Sequence, residues 1–312
     1  MEKSGFIQSV TKDGDEHKLF YTLFEPEDQP VRATLLVLHG MQEHSGRYAA
    51  FARFLKNRGI VVVTYDHLGH GKTAQRKEDL GFFIPRNARE QVVIDAENLA
   101  AYLETKYPYV PHFVLGHSMG SFITRCLLQQ AHQRFDGAVI VGTGGKIKGI
   151  AIGKVLISVL NAIAPRYRSR LINNVFAKMN NSRFKQEGNY KNTNWLSVSK
   201  ENRDAFLADE LCGIPFTNNG FHTLISVNMD ATKRDWAETM IRKFPLLFVS
   251  GVDDPIGAFS KGVLQTVDQL KKDGFEDVTV KIYPNMRHEI LNETEKETVY
   301  EDIGNWLSDR LR

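Results

Sequence analysis

The sequence predicts an α/β fold: a mostly parallel central sheet with helices on both faces and a helical lid insertion. Three observations lead there. Short, almost wholly apolar runs alternate with amphipathic stretches of helical spacing, the pattern of strands buried on both faces and joined by crossover helices. One of those runs passes through Gly-His-Ser-Met-Gly directly into a helical stretch. The alternation breaks off after residue 142 and resumes near residue 245.

In chain order, residues 6–11 and 17–24 read as antiparallel strands joined by the turn-forming Lys12-Asp13-Gly14. Residues 33–38 are nearly all apolar, as a doubly buried strand requires. Residues 48–57 have helical spacing with Gly59 as their stop, and 60–65 is the next buried strand. A long amphipathic helix over 88–107 precedes a short strand at 112–115, a helix at 118–130 and a strand at 137–141. Residues 147–229 look largely helical. A strand at 245–250, a helix at 260–273, a strand at 278–283 and a helix at 294–311 complete the pattern. The expected organisation is a core of residues 1–142 and 230–312 carrying a helical cap over 143–229.

The chain has 312 residues, enough for one such domain with an insertion. Its apolar content of 42% and charged content of 25% are ordinary for a globular protein, and a net charge of +3 gives no reason to expect a nucleic-acid partner. Two cysteines, Cys126 and Cys212, make no disulfide framework. Cys126 sits in an apolar helical run and reads as a buried structural thiol. No Cys/His cluster has the spacing of a zinc site. The first eleven residues lack the apolar core of a signal peptide. The longest apolar stretch, 147–164, is interrupted by Lys148, Lys154, Ser158 and Asn161, which argues against a membrane span. A cytoplasmic protein is the expectation.

The chemistry is concentrated at predicted strand ends. Gly116-His117-Ser118-Met119-Gly120 stands in the strand–turn–helix context of a nucleophile elbow, which makes Ser118 the candidate nucleophile. In such a turn the serine backbone is strained, and side chains at 116 and 120 would collide with neighbouring elements. The Met119 amide then points where an oxyanion forms. Residues 33–38 end in His39-Gly40-Met41, and the loop after that strand is placed to supply the second donor, the Met41 amide, with Gly40 permitting close approach. His39 reads as a brace of this loop. The predicted strand at 245–250 runs into Gly251-Val252-Asp253-Asp254, and the one at 278–283 into a loop containing His288. The order Ser118, Asp254, His288 makes Asp254 the acid that orients the base, His288. Asp253 competes for the acid role. His44, His67, His70 and His117 also lie near strand ends, but none follows the acid in the chain.

With those residues placed, the run from His39 to Tyr48, His-Gly-Met-Gln-Glu-His-Ser-Gly-Arg-Tyr, resembles the oxyanion segment of monoacylglycerol lipases and related lysophospholipases, S33-like members of the α/β-hydrolase superfamily. Asp66-His67-Leu68-Gly69-His70-Gly71-Lys72-Thr73 is similar to their D-x-x-G-H-G-x-S segment. The elbow and the acid and base loops match in placement, and the likeness covers essentially the whole chain. Ser121 stands where many relatives have a further glycine, and Thr73 where they have serine. The resemblance implies an α/β-hydrolase fold and hydrolysis of a single-chain acyl ester, monoacylglycerol or lysophospholipid, through an acyl-enzyme without a cofactor. A broad carboxylesterase or thioesterase, an aminopeptidase-like peptidase and a ligand-binding protein of the same fold are the alternatives.

Between residues 145 and 200 the chain carries eleven Lys or Arg and one acid, Glu187. This is either a solvated helical face or a surface that docks on anionic lipid or admits substrates with a phosphate head group, docking putting the protein at the membrane periphery. Ile150, Ile152, Val155, Leu156, Val159, Leu160 and Ile163 would line an acyl-chain pocket, face a bilayer or pack as ordinary core.

Overall fold

Eight strands make one sheet: β1 (Glu2–Val10), β2 (Glu16–Phe24), β3 (Ala33–Leu38), β4 (Ile60–Tyr65), β5 (His112–His117), β6 (Gly137–Val141), β7 (Leu246–Gly251) and β8 (Val278–Tyr283). The computed structural model describes residues 1–147, 149–188 and 190–311. The strands lie in the order β1-β2-β4-β3-β5-β6-β7-β8. β1 and β2 are antiparallel to each other and β2 to β4, whereas every pair from β4 to β8 is parallel.

Nine helices accompany the sheet among the described residues: α1 (Ala49–Lys56), α2 (Ala88–Lys106), α3 (Met119–Ala131), α4 (Ile150–Ile163), α5 (Arg170–Asn180), α6 (Lys200–Ala208), α7 (Asn218–Ala231), α8 (Lys261–Lys272) and α9 (Lys296–Ser308). Successive strand residues point to opposite faces, and each face has its own core. Leu36, Leu38, Val114 and Ile140 pack with Val92 and Leu99 of α2, Ile123 and Leu127 of α3, and Val263 of α8. Leu35, Val37, Phe113 and Leu115 pack with Phe51 and Leu55 of α1 and with Ile303 and Leu307 of α9. Burial on both sides is why β3, β4, β6 and β7 are apolar at nearly every position.

The expected limits of β3, β4, β6 and β8 match the structure. β1 instead starts at Glu2, because its ladder with β2 runs nine residues regardless of side-chain polarity. β5 continues through Gly116 and His117, which pair with Ile140 and Val141 of β6.

Between β6 and β7 the described residues contain α4 to α7 and no strand. α7 joins the main core through Phe221, Val227 and Ala231. In α4 only Ile157 is fully buried. Ile152, Val155, Leu156, Val159 and Ile163 of α4 are exposed, as are Leu171, Val175 and Met179 of α5, with Ile152 at 79% and Ile163 at 77%. Leu160 packs against the core. Of the basic residues in this segment, Lys148 lies outside the described residues. Arg166 pairs with Asp79 at 2.9 Å, and Arg168 donates to the carbonyls of Glu78 and Leu80, so both fasten the segment to the loop before α2. Among the described residues no helix is long and apolar enough to cross a membrane.

Candidate active site

Ser118 occupies the break between β5 and α3 with φ 52° and ψ −117°, a conformation a non-glycine residue keeps only when its surroundings hold it. Its amide donates to the Val141 carbonyl at 3.0 Å, and the Ser121 hydroxyl donates to its carbonyl at 2.6 Å. Ser121 thus ties down the strained turn. The flanking glycines answer to close approach: a Cβ on Gly120 would stand 2.1 Å from the Leu38 carbonyl oxygen, and one on Gly116 2.3 Å from that of Gly120. α3 therefore packs directly on the end of β3, which sets the loop after β3 against the serine. A Cβ on Gly40 would meet Ser118 Cβ at 3.2 Å.

Asp254 follows β7 and is 0% exposed, whereas Asp253 is exposed. Both Asp254 carboxylate oxygens lie 3.0 Å from His288 Nδ1, and Oδ1 also accepts from the Ile256 amide at 2.8 Å. This geometry places the imidazole proton on Nδ1 and leaves Nε2 with a lone pair. His288 itself is buried, with its ring 4.7 Å from that of His117 and 4.9 Å from that of Trp195. Ser118, His288, Gly40 and Met41 line one cavity of about 230 Å³. Its apolar wall comes from Phe176, Trp195, Leu196, Phe206 and Leu207, and Asn173, Lys191 and Asn192 stand among its polar residues. None of the seven apolar α4 residues singled out in the sequence lines it. A larger cavity of about 560 Å³, near Lys154 and His222, contains none of Ser118, Asp254 and His288.

The loop after β3 is braced from both ends. His39 Nδ1 contacts the Gly40 carbonyl at 2.7 Å while its Nε2 accepts from the His67 amide at 3.0 Å, and burial lowers its pKa to about 4. It is a neutral strut. His70, lowered to about 3 by burial, accepts from the Gln42 amide at 3.4 Å. Asp66 receives the amides of Ser45 and Lys72, and the Thr73 hydroxyl donates to the Asp66 carbonyl at 2.7 Å. The Asp66–Thr73 segment is thereby a scaffold for the loop after β3.

Sequence reasoning missed a buried network beneath the cavity. Glu43 accepts from the Gly40 amide at 2.6 Å, Arg47 at 2.7 Å and the Tyr48 hydroxyl at 2.8 Å, and lies 3.2 Å from His117 Nδ1. Arg47 also forks onto Glu289, at 2.6 and 2.7 Å, and donates to Asn202 of α6 at 3.0 Å. Burial resists charge on Glu43, yet Arg47 and His117 overcome it and hold the carboxyl well below its usual range. Burial likewise works against charge on His117, but its hydrogen bond and ion pair with Glu43 outweigh that and raise its pKa. His117 Nε2 in turn lies 3.1 Å from the His288 carbonyl. One guanidinium and one carboxylate thus join the loop after β3, the Ser118 turn and the His288 loop. Glu43 and Arg47 stood within the recognised segment, but a loop acid shows no periodicity from which burial can be read. Cys126 is buried, with its thiol 3.6 Å from the Val227 carbonyl, as a structural thiol would be.

A family model described as Serine aminopeptidase, S33 matches residues 29–295. The chain is 26% identical over 300 residues to a monoacylglycerol lipase of Mycolicibacterium smegmatis, covering 94% of both chains. Against the monoglyceride lipase of Homo sapiens it is 26% identical over 310 residues, covering 96% of this chain and 89% of that one. Among solved structures, a lipase in an open form superposes with a TM-score of 0.88 at 26% identity, over 99% of this chain and 100% of the other. A thermostable carboxyl esterase from Bacillus coagulans in complex with glycerol, 23% identical and covering 99% of both chains, shares the fold with a TM-score of 0.88. With the family model spanning most of the sequence and the sheet and elbow in place, the chain belongs to the serine aminopeptidase S33 family of the α/β-hydrolase superfamily.

Proposed function

We propose that this carboxylic ester hydrolase cleaves a neutral single-chain acyl ester, a monoacylglycerol, through an acyl-enzyme on Ser118. The observation that carries the reading is a serine on a strained turn in the same cavity as His288, whose far nitrogen is held by the buried Asp254. Ser118 Oγ attacks the acyl carbonyl while His288 Nε2 takes its proton, and Asp254 stabilises the imidazolium. The Met41 and Met119 amides receive the oxyanion. Met119 opens α3, so its N–H has no acceptor within the helix. His288 returns the proton to the leaving glycerol, and water then releases the fatty acid by the same steps.

Charge in the cavity favours a neutral head group. Of the described basic residues between 145 and 200, Lys191 alone is among its lining residues. The two carboxylates there, Glu43 and Glu289, are both held by Arg47 and offer no anchor to a peptide amine. The similar proteins described as monoacylglycerol lipases support the same substrate. Residues 143–229 serve as a lid over the site, since they supply Phe176, Trp195 and Phe206 to its wall. The exposed apolar faces of α4 and α5, with Arg170 and Lys178 beside them, are the surface that rests on a lipid interface.

The test is kcat/KM on a monoacylglycerol and on an anionic lysophospholipid of matched chain length, with Ser118→Ala as control. Preference for the glycerol ester is expected. Preference for the lysophospholipid would overturn the neutral head group, and turnover of short aryl esters alone would leave a general esterase.

A further inference from the structure

Three side chains with metal-binding atoms meet outside the catalytic cavity, drawn from two distant parts of the chain. His44 ends the loop after β3, and Asp209 and Cys212 lie between α6 and α7. One ligand atom from each falls within 4.8 Å of the others, and His44 Nε2 lies 2.9 Å from Asp209 Oδ2. Cys212 is buried, and His44 is largely so. No sequence spacing announces this group, because 165 residues separate His44 from Asp209.

We propose that His44, Asp209 and Cys212 form a binding site for a zinc ion that clamps the oxyanion loop to the helical segment. The donor set of one thiolate, one imidazole and one carboxylate selects a borderline-soft ion over magnesium or calcium, which take oxygen ligands alone. Zinc bonds of about 2.0–2.3 Å in a tetrahedron hold ligand atoms roughly 3.3–3.8 Å apart, so the His44 and Asp209 atoms, 2.9 Å apart, need to open slightly and the longer separations to close by at most about an ångström. The backbone is prepared on one side: the Leu211 amide donates to Asp209 Oδ1 at 2.8 Å and orients that carboxylate, leaving Oδ2 toward His44.

Binding moves protons in a defined way. Cys212 releases its thiol proton to solvent, and the ion, thiolate and Asp209 carboxylate sum to zero charge. His44 moves its proton from Nε2 to Nδ1 and gives up the 3.2 Å contact from the Gly46 amide. Three protein ligands leave the fourth position to water. The clamp would add to the hydrogen bond that the Gly213 amide already makes to the Gln42 carbonyl at 2.8 Å, beside the catalytic cavity.

The experiment is titration of the full chain with Co2+ and then Zn2+, followed by absorption. One equivalent of Co2+ should produce a thiolate-to-cobalt charge-transfer band in the near ultraviolet, and Zn2+ should abolish it. Cys212→Ser should remove the band and Cys126→Ser leave it intact. His44→Gln and Asp209→Asn should each weaken Zn2+ binding by more than about a hundredfold, beyond what loss of a supporting residue gives. Absence of the band in the wild-type chain, or its persistence in Cys212→Ser, overturns the site. The wild-type band decides the matter even where a variant fails to fold, and the site stands or falls independently of the substrate proposed above.

Discussion

Glu43→Gln tests the buried network directly. In the wild type the buried carboxylate takes hydrogen bonds from the Gly40 amide, Arg47 and Tyr48 and faces His117. Breaking a buried ion pair ordinarily costs about 3–5 kcal/mol because the surviving charge is stranded. Here Arg47 keeps both oxygens of Glu289, so the cost falls to the lost charged acceptor. Hydrogen bonds to charged groups contribute about 1.5–3 kcal/mol, which puts the loss at about 2–4 kcal/mol near pH 6. The pH dependence is the sharper signature. His117 in the fold binds its proton more tightly than the ordinary value of 6.5, so its contribution is complete below that value and disappears as pH rises through the raised folded pKa. In the Gln variant the hydrogen bond and charge of Glu43 are gone, and only the Glu289 charge and the His288 carbonyl remain to oppose burial, so most of this contribution is lost. The stability gap between the two proteins should therefore be widest below about pH 6.5 and narrow as pH rises through the raised folded pKa of His117. Urea unfolding across that range measures it. A gap under about 1 kcal/mol throughout, or one that widens as pH rises, would refute the reasoning.

Asp254→Asn should lower kcat by about ten-thousandfold with the fold intact, since the amide that replaces one oxygen cannot hold the Nδ1–H tautomer and the imidazolium together; a loss of less than about tenfold on a soluble ester would remove Asp254 from its role. Gly120→Ala places a methyl group 2.1 Å from the Leu38 carbonyl oxygen. The expected destabilisation is at or above the about 1–3 kcal/mol typical of overpacking, and an unchanged melting temperature would contradict the contact. Ile152→Glu combined with Ile163→Glu should abolish cosedimentation with anionic vesicles while kcat/KM on a short soluble ester stays within about twofold; vesicle binding that survives both changes would show that another surface does the docking.

How much of this could be read in the sequence depended on whether a signal was local. The doubly buried strands declared themselves because burial on both faces demands an unbroken apolar run, as in residues 33–38 and 60–65. The elbow was legible because strand, glycines and helix are contiguous. Chain order leaves Asp253 and Asp254 equal candidates for the acid, and burial separates the two: Asp253 is exposed while Asp254 meets the imidazole. The Glu43–Arg47–Glu289 network and the His44–Asp209–Cys212 group were invisible, since each depends on contacts between loops that only the sheet order brings together. The basic segment was half legible. Its excess charge was plain, but Arg166 and Arg168 prove to be fasteners to residues 78–80, a use that composition cannot distinguish from a free cationic face.

The joining of Arg47 to both Glu43 and Glu289 also dictates when the enzyme becomes competent. The proposed nucleophile and oxyanion loop belong to the first 120 residues, but the proposed base and the second carboxylate arrive only with residues 288 and 289, after seven of the eight strands have been made and the eighth has been laid down. During synthesis, in which N-terminal parts fold first, the growing chain carries an elbow serine with no partner to activate it. Catalytic competence is thus a late event in biogenesis, and a chain clipped before β8 would retain much of its sheet and none of its turnover.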